Sequence, residues 1–298
     1  MRNKILQILR ESGDKYISGE EMAEKLGVSR TAVWKHIKEM RAQGYDIESH
    51  ARKGYVLKEA PDALLSGEIA HDLQTSVIGQ NIICHEEIDS TNNEAKRLAR
   101  EGAAEGTVVV AECQTGGKGR LERRFFSPKG KGIWFSVILR PKFLPQEAPK
   151  CTLMAAVAVA RAMTEFNLKP GIKWPNDLLY ENKKLVGILT EMSAEMDGIN
   201  YIVIGTGINV NIEQTEFPED IRDVATSLCM MKGEHLPRVK FFQAVLRAMD
   251  DLYARVQAQG FASVLEEWRR YSITLGQEVK VIGVRDGEVY FGKAADID

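Results

Sequence analysis

The chain has 298 residues, 28% of them charged and 44% hydrophobic, and a net charge of −2, which is the balance of a soluble globular protein large enough for two or three domains. No apolar run approaches the roughly 20 residues of a membrane helix, and Met1-Arg2-Asn3-Lys4 leads into polar-interrupted sequence rather than a signal core, so a cytoplasmic protein without membrane association is expected. Four scattered cysteines without a C-x-x-C pair, and five histidines without H-x-x-H or H-x-x-x-H spacing, indicate neither a zinc site nor a disulfide framework and argue against a metal hydrolase.

Charge is unevenly divided. Residues 1–60 carry 12 Lys and Arg against 9 Asp and Glu, and the remainder carries 28 against 33. A basic head on an acidic body points to the head as the part that meets a polyanion. Ile5, Leu6, Ile8 and Leu9 predict a first helix. Ser18, three residues before Glu21, has capping-box spacing, and Met22, Ala23 and Leu26 supply the buried stripe of a second helix that Gly27 ends. Ser29 caps a third helix whose Ala32, Val33, Ile37 and Met40 face inward, which leaves Arg30, Thr31, Lys35, His36 and Lys38 outward. Two short helices about a Gly turn, the second cationic at its start, form the layout of a DNA recognition helix. Glu48 to Leu57 reads as a hairpin wing with Arg52 and Lys53 at its tip. The candidate DNA contacts are therefore Ser29, Arg30, Thr31, Lys35, His36, Arg52 and Lys53. The alternative for this head is a helical bundle serving dimerisation alone. Lys58 to Asp62, with Pro61, reads as the linker.

In the body, Ser66 to Leu73 predicts a short helix and Asn81 to His85 a strand. Asp89-Ser90-Thr91-Asn92-Asn93 follows, with more small polar groups than one helix cap uses. The spare groups suit a neutral polar ligand. The apolar runs 107–112 and 133–139 read as strands flanking Gln114-Thr115-Gly116-Gly117-Lys118-Gly119-Arg120-Leu121-Glu122-Arg123-Arg124. Three glycines and four cations fit an anion held by backbone N–H groups and charge together, although the same composition suits a solvated connection. No P-loop frame fits Lys118 or Lys131.

Thr152 to Phe166 predicts an Ala-rich helix. In Ile172-Lys173-Trp174-Pro175-Asn176-Asp177, Trp-Pro breaks a strand and leaves an amide and a carboxylate suited to a hydrated Mg²⁺. A strand from Lys184 to Met192 sets a cation beside them, and Tyr201 to Ile204 is expected to run into a Gly205-Thr206-Gly207 bend that turns Asn209 and Asn211 inward. The segment 212–227 is a candidate mobile stretch. Helices are expected near 240–258 and 261–271.

Four stretches in this order, Asp89-Ser90-Thr91-Asn92, Gln114 to Arg120, Lys173 to Asp177 with Lys184 to Leu189, and Gly205 to Asn209, resemble the signatures of biotin protein ligases. The head is similar to that of the bifunctional bacterial form, which also represses biotin genes. The resemblance implies an α+β protein with a winged helix-turn-helix domain at 1–60, a class II synthetase-like mixed-sheet catalytic domain at 63–271, and at 272–298 the first strands of an SH3-like barrel that ends before closing. Asp286-Gly287 supplies that last part's hairpin signal.

It further implies that biotin and Mg²⁺-ATP form biotinyl-5'-adenylate, which a lysine of biotin carboxyl carrier protein then attacks. Catalytic roles fall to Lys184, Arg120 and Lys118. Biotin contacts fall to Ser90, Thr91, Asn92, Gln114, Lys118, Gly119, Arg120, Ser136, Lys184 and Gly187, with Trp134 as an apolar wall. ATP contacts fall to Lys173, Asn176, Asp177, Lys184 and Asn209, and Mg²⁺ to Asp177 and Asn176. Operator DNA and a homodimer are implied partners. The family's loop commonly reads Gly-Arg-Gly-Arg-x-Gly, whereas here Lys118 stands for its first Arg and Glu122 for its last Gly. A lysine keeps the charge but loses the bidentate fork. A repressor that senses ligand without chemistry, and a lipoate or octanoate ligase on the same fold, are the rival readings.

Overall fold

Residues 1–195, 198–283 and 287–297 are described by a computed structural model, with the Glu122 side chain also outside the description. The chain divides into two compact units, Met1–Ala63 and Leu64–Asp298. In the first, α1 (Arg2–Glu11), α2 (Gly19–Leu26) and α3 (Arg30–Ala42) precede a hairpin of β1 (Asp46–His50) and β2 (Gly54–Glu59). The Ser18 side chain accepts from Glu21 N–H, and Gly27 ends α2 at φ 64°. Such a left-handed residue costs glycine little. Ser29 likewise accepts from Ala32 N–H to start α3. Ile5, Leu6, Leu9, Met22, Val33, Ile37, Met40 and Val56 close a small core. Strand β2 includes Lys58 and Glu59, so pairing extends into the stretch expected as linker.

The second unit contains α4 (Ser66–Ala70), β3 (Ile82–His85), α5 (Thr91–Arg100), β4 (Val108–Ala111), β5 (Gly132–Leu139), α6 (Lys150–Glu165), β6 (Ile172–Lys173), β7 (Asp177–Tyr180), β8 (Lys183–Glu195) and β9 (Gly198–Asn209). These are followed by α7 (Leu228–Lys232), α8 (Arg238–Gln259), α9 (Ala262–Tyr271) and a hairpin of β10 (Glu278–Ile282) with β11 (Val289–Lys293). Strands order as β3-β4-β5-β9-β8-β7-β6 in one mixed sheet, with only β3 and β4 parallel. The architecture is α+β. Asp286, half of the hairpin signal, lies outside the described residues, while the antiparallel hairpin around it is present.

One sheet face carries Ile133, Phe135, Val137, Ile204, Ile208, Val186 and Ile188 into the core with α6 and α8. The alanines of α6 bring helix and sheet close, so that the helix buries eleven residues. Side chains alternate along a strand, so Trp134, Ser136, Gly187, Leu189, Gly205 and Gly207 occupy the other face. Register aligns them in two rows across three strands, Ser136–Gly205–Leu189 and Trp134–Gly207–Gly187. Three glycines in these rows hollow out the sheet.

The expected Gly205–Gly207 bend is absent. Strand β9 runs straight through it to Asn209, and neither glycine has a positive φ. These glycines serve close approach rather than a turn.

Candidate active site

The hollow is roofed by the start of α5 and by the basic loop. A Cβ built at Gly205 would lie 1.9 Å from Asn92 Oδ1, and one at Gly207 or Gly187 would lie 2.6 or 2.7 Å from the Phe125 ring. Larger residues at these positions would displace the roof. Under it, Ser90, Thr91, Asn92 and Ser136 are at most 4% exposed, and Thr91, Asn92 and Ser136 share a polar network with Gln114. Thr91 N–H donates to Gln114 Oε1 at 2.9 Å, and Gln114 Nε2 donates to Ser127 Oγ at 3.0 Å. Ser136 Oγ lies 2.8 Å from Thr91 Oγ1 and 2.6 Å from Asn92 Oδ1, while Asn92 Nδ2 donates to Glu191 Oε2 at 2.8 Å. Lys96 Nζ pairs with Glu191 Oε1 at 2.7 Å. Buried polar groups are held in one geometry when each has a partner, at about 1 kcal/mol net per bond. Burial resists the charge on Glu191 most strongly, yet hydrogen bonds from Lys96 and Asn92, with the nearby charges of Lys96 and Lys118, hold its carboxyl below the usual range.

The basic loop folds back on itself. Phe125 N–H donates to Gly117 O at 2.9 Å, and Gly119 N–H to Arg123 O at 2.7 Å, around a tip in which Leu121 has φ 56°. Its N–H groups at Gln114, Thr115, Gly116 and Gly119 all meet protein carbonyls. At these four positions the N–H groups are therefore already used within the protein, and the loop's cationic side chains rest on neighbouring amide oxygens. Lys118 Nζ donates to Asn93 Oδ1 at 3.1 Å and Arg120 Nη1 to Asn176 Oδ1 at 3.1 Å.

Beyond the hollow opens a cleft of about 1150 Å³ lined by Arg120, Arg123, Arg124, Lys173, Asn176, Asp177, Lys184 and Asn209, with β10 and β11 at its edge. Strands β6 and β7 meet across a cis Trp174–Pro175 bond, and the pairing of β7 with β8 puts Asp177 opposite Gly187. Lys184 Nζ lies 2.7 Å from Asp177 Oδ1 and 5.8 Å from the Phe125 ring centroid. Asn176 Nδ2 donates to Ile188 O, which aims its Oδ1 at Arg120. Asn209 Nδ2 donates to Thr226 O at 2.9 Å, while its Oδ1 is buried with no hydrogen-bond partner among the described residues. Such an acceptor is costly unless something else uses it. Lys173 is exposed at the rim. A carboxylate and two amide oxygens are hard donors that fit a Mg²⁺ keeping several of its waters.

The hollow gathers Ser90, Thr91, Asn92, Gln114, Lys118, Gly119, Arg120, Lys184 and Gly187, with Ser136 on its floor. Trp134 is fully buried beneath Phe125, at 5.8 Å between ring centroids, rather than forming an open wall. Asn211 exchanges both its amide bonds with the Leu236 backbone and is structural. The segment 212–227 is tied down by the buried Phe217 and by Ser227. Sequence reasoning missed Phe125, Lys96 and Glu191. The period-two pattern Gly205-x-Gly207 was the available signal for the ring that lies on it.

In the head, Arg30, Thr31 and Lys35 are exposed on α3 beside Trp34, which is 53% exposed. His36 is half-buried against Glu39. Arg52 and Lys53 sit at the hairpin tip, where Lys53 Nζ lies 5.9 Å from the Tyr16 ring.

The pattern of the biotin/lipoate A/B protein ligase family matches residues 85–209, and that of an HTH domain matches residues 1–56. The chain is 41% identical to the bifunctional ligase/repressor BirA of Bacillus subtilis, over 100% of this chain and 91% of that one. It is 31% identical to the BirA of Escherichia coli over 99% and 89%. A biotin protein ligase of Aquifex aeolicus, solved with biotin and ATP, superposes with a TM-score of 0.63 at 32% identity, over 72% of this chain and 86% of the other. Full-length identity at this level, with a glycine-floored polar hollow opening into a cationic cleft, shows that the chain belongs to the biotin/lipoate A/B protein ligase family, among its bifunctional ligase/repressors.

Proposed function

We propose that the hollow and cleft carry out two half-reactions. Biotin attacks the α-phosphate of Mg²⁺-ATP through its carboxylate, forming biotinyl-5'-adenylate and releasing pyrophosphate. A lysine amine of biotin carboxyl carrier protein then attacks the mixed anhydride and expels AMP. The observation that supports this reading is the junction itself, where neutral donors and acceptors in the hollow meet Lys184, Lys118 and Arg120 at the mouth of the cleft. Two unit anions about 4 Å apart repel by roughly 4 kcal/mol at an effective dielectric of about 20. Reaction therefore requires cations at that junction.

Ser90, Thr91, Asn92, Gln114 and Ser136 hold the ureido ring in this account, with the Phe125 ring lifting from Gly187 to admit the ligand. Gly119 lets the loop pass close above the ligand. Lys118 and Arg120 exchange their amide partners for biotin carboxylate and phosphate. Lys184 moves from Asp177 onto the charge developing at phosphorus, which frees Asp177, with Asn176, for Mg²⁺. That ion screens the phosphates when bound. Lys173 and Asn209 hold the far side of the nucleotide. Closure of the loop over the anhydride keeps water out.

The adenylate also serves as corepressor in this account. By ordering the basic loop it favours a homodimer, and two heads then engage a two-half-site operator in the cytoplasm. Ser29, Arg30, Thr31, Lys35 and His36 lie at the groove, and Arg52 and Lys53 touch backbone phosphate. The polar network favours biotin over lipoate, whose ring offers no ureido group.

Incubation with biotin, Mg²⁺-ATP and a carrier domain, read by mass spectrometry, tests the ligase assignment. A biotin-sized gain on one carrier lysine is expected. No gain on any carrier overturns the assignment.

A further inference from the structure

Sequence spacing gave no sign of a transition-metal site, because the relevant residues lie on three separate stretches. The fold brings together Glu213, just after β9, Cys229 in α7, and His235 in the turn before α8, with one ligand atom of each within 4.8 Å of the others. His235 Nε2 lies 3.2 Å from Glu213 Oε1, and Cys229 Sγ lies 4.0 Å from the same oxygen. Around a tetrahedral zinc with bonds of about 2.0–2.1 Å to N and O and about 2.3 Å to S, ligand atoms stand roughly 3.3–3.5 Å apart. Small side-chain adjustments reach that spacing.

A second observation is that the backbones carrying these ligands are already tied together. Cys229 N–H donates to Val210 O at 2.8 Å, and Ser227 Oγ donates to Ile212 O at 2.7 Å. Leu236 N–H donates to Asn211 Oδ1, and Asn211 Nδ2 returns a bond to Leu236 O, both at 2.9 Å. Glu213 also accepts from Glu216 N–H through its carboxylate, which orients it as a monodentate ligand. Cys229 is 4% exposed, and the Glu213 and His235 side chains are more than half exposed, so the sulfur lies inward and a water can complete the shell from outside.

We propose that Glu213, Cys229 and His235 form a site for a divalent transition metal of the zinc type, separate from the ligase cleft. Binding exchanges the Cys229 thiol proton for a sulfur–metal bond and releases that proton to solvent. Thiolate and carboxylate balance the two positive charges, and His235 binds as neutral imidazole. The metal staples the start of the segment 212–227 to α7 and to the turn into α8. That segment supplies Phe217, Ile221, Val224 and Ala225 to the cleft, and Lys184 N–H donates to Val224 O at 2.7 Å. A staple here steadies the strand that carries Lys184.

The test is titration of the full chain with Co²⁺, a spectroscopic stand-in for zinc. The expected result is a thiolate-to-cobalt charge-transfer band with tetrahedral d–d bands that saturate stoichiometrically and are erased by Zn²⁺. Cys229→Ser should abolish the charge-transfer band. His235→Asn, at an exposed position that leaves packing intact, should weaken Co²⁺ binding by at least about tenfold. Absence of the band in the wild-type chain overturns the proposal, as does a band that survives Cys229→Ser or binding unchanged in His235→Asn.

Discussion

The hollow and the cleft adjoin on one sheet face but solve opposite problems. In the hollow the polar groups are buried and bonded to one another before any ligand arrives. Where the hollow opens into the cleft the cations are partly exposed, and Lys184, Lys118 and Arg120 rest on the protein's own Asp177, Asn93 and Asn176. A neutral ring needs fixed directions, which buried networks provide. A polyphosphate needs charge that can be handed over, and contacts partly open to water give up their partners at less cost than fully buried ones. The difference teaches that orientation and charge neutralisation are kept in separate compartments, with Lys184 at the boundary.

Three substitutions probe this division. The largest effect is expected from Gly205→Val, which drives a side chain into Asn92. Breaking two or three buried bonds at 1–3 kcal/mol each should weaken biotin binding on the order of 1,000-fold by calorimetry while leaving ATP binding largely intact. Unchanged biotin affinity would remove Asn92 from the account. Next, Lys184→Ala should slow pyrophosphate release on the order of 100-fold, the usual loss for one charge-stabilising donor, and leave biotin binding measurable. Equal loss of both would contradict the boundary role.

Glu191→Gln should be milder, with a several-fold loss of biotin affinity as Asn92 and Lys96 lose their anchor. Because the folded Glu191 carboxyl is held below the usual range, the stability it contributes is fully present above the ordinary glutamate value of about 4.3 and is lost as pH falls through its lower folded value. Thermal melts should therefore show a smaller acid-induced drop in Tm for Glu191→Gln than for the wild type. Parallel curves would show that the Lys96 pair is idle.

The two compartments were unequally legible in the sequence. Ser90 to Asn92 and the cations of the basic loop stood out as local patterns, a small polar cluster at a strand-to-helix junction and a Gly-rich basic run, whereas Gln114 entered only through the family resemblance. Residues whose meaning depends on register were harder to read. Gly205 and Gly207 looked like a bend because a Gly-x-Gly pair cannot declare, without its neighbours, that it is floor for a ring on another segment. Phe125 read as loop for the same reason. Glu191 works through Asn92, ninety-nine positions away, and no local pattern carries that. The partners of the loop's N–H groups were equally illegible, since those of Gln114, Thr115 and Gly116 bond to Ser127, Ile88 and Asp89, and only that of Gly119 closes on Arg123 within the loop.

The separation itself is most directly tested by measuring biotin affinity and ATP affinity in parallel across a salt series. Screening weakens exposed charge contacts and leaves buried hydrogen bonds nearly untouched. The account predicts that ATP affinity falls steeply as ionic strength rises while biotin affinity, with one carboxylate at stake, falls much less. Equal slopes, or a steeper one for biotin, would contradict it.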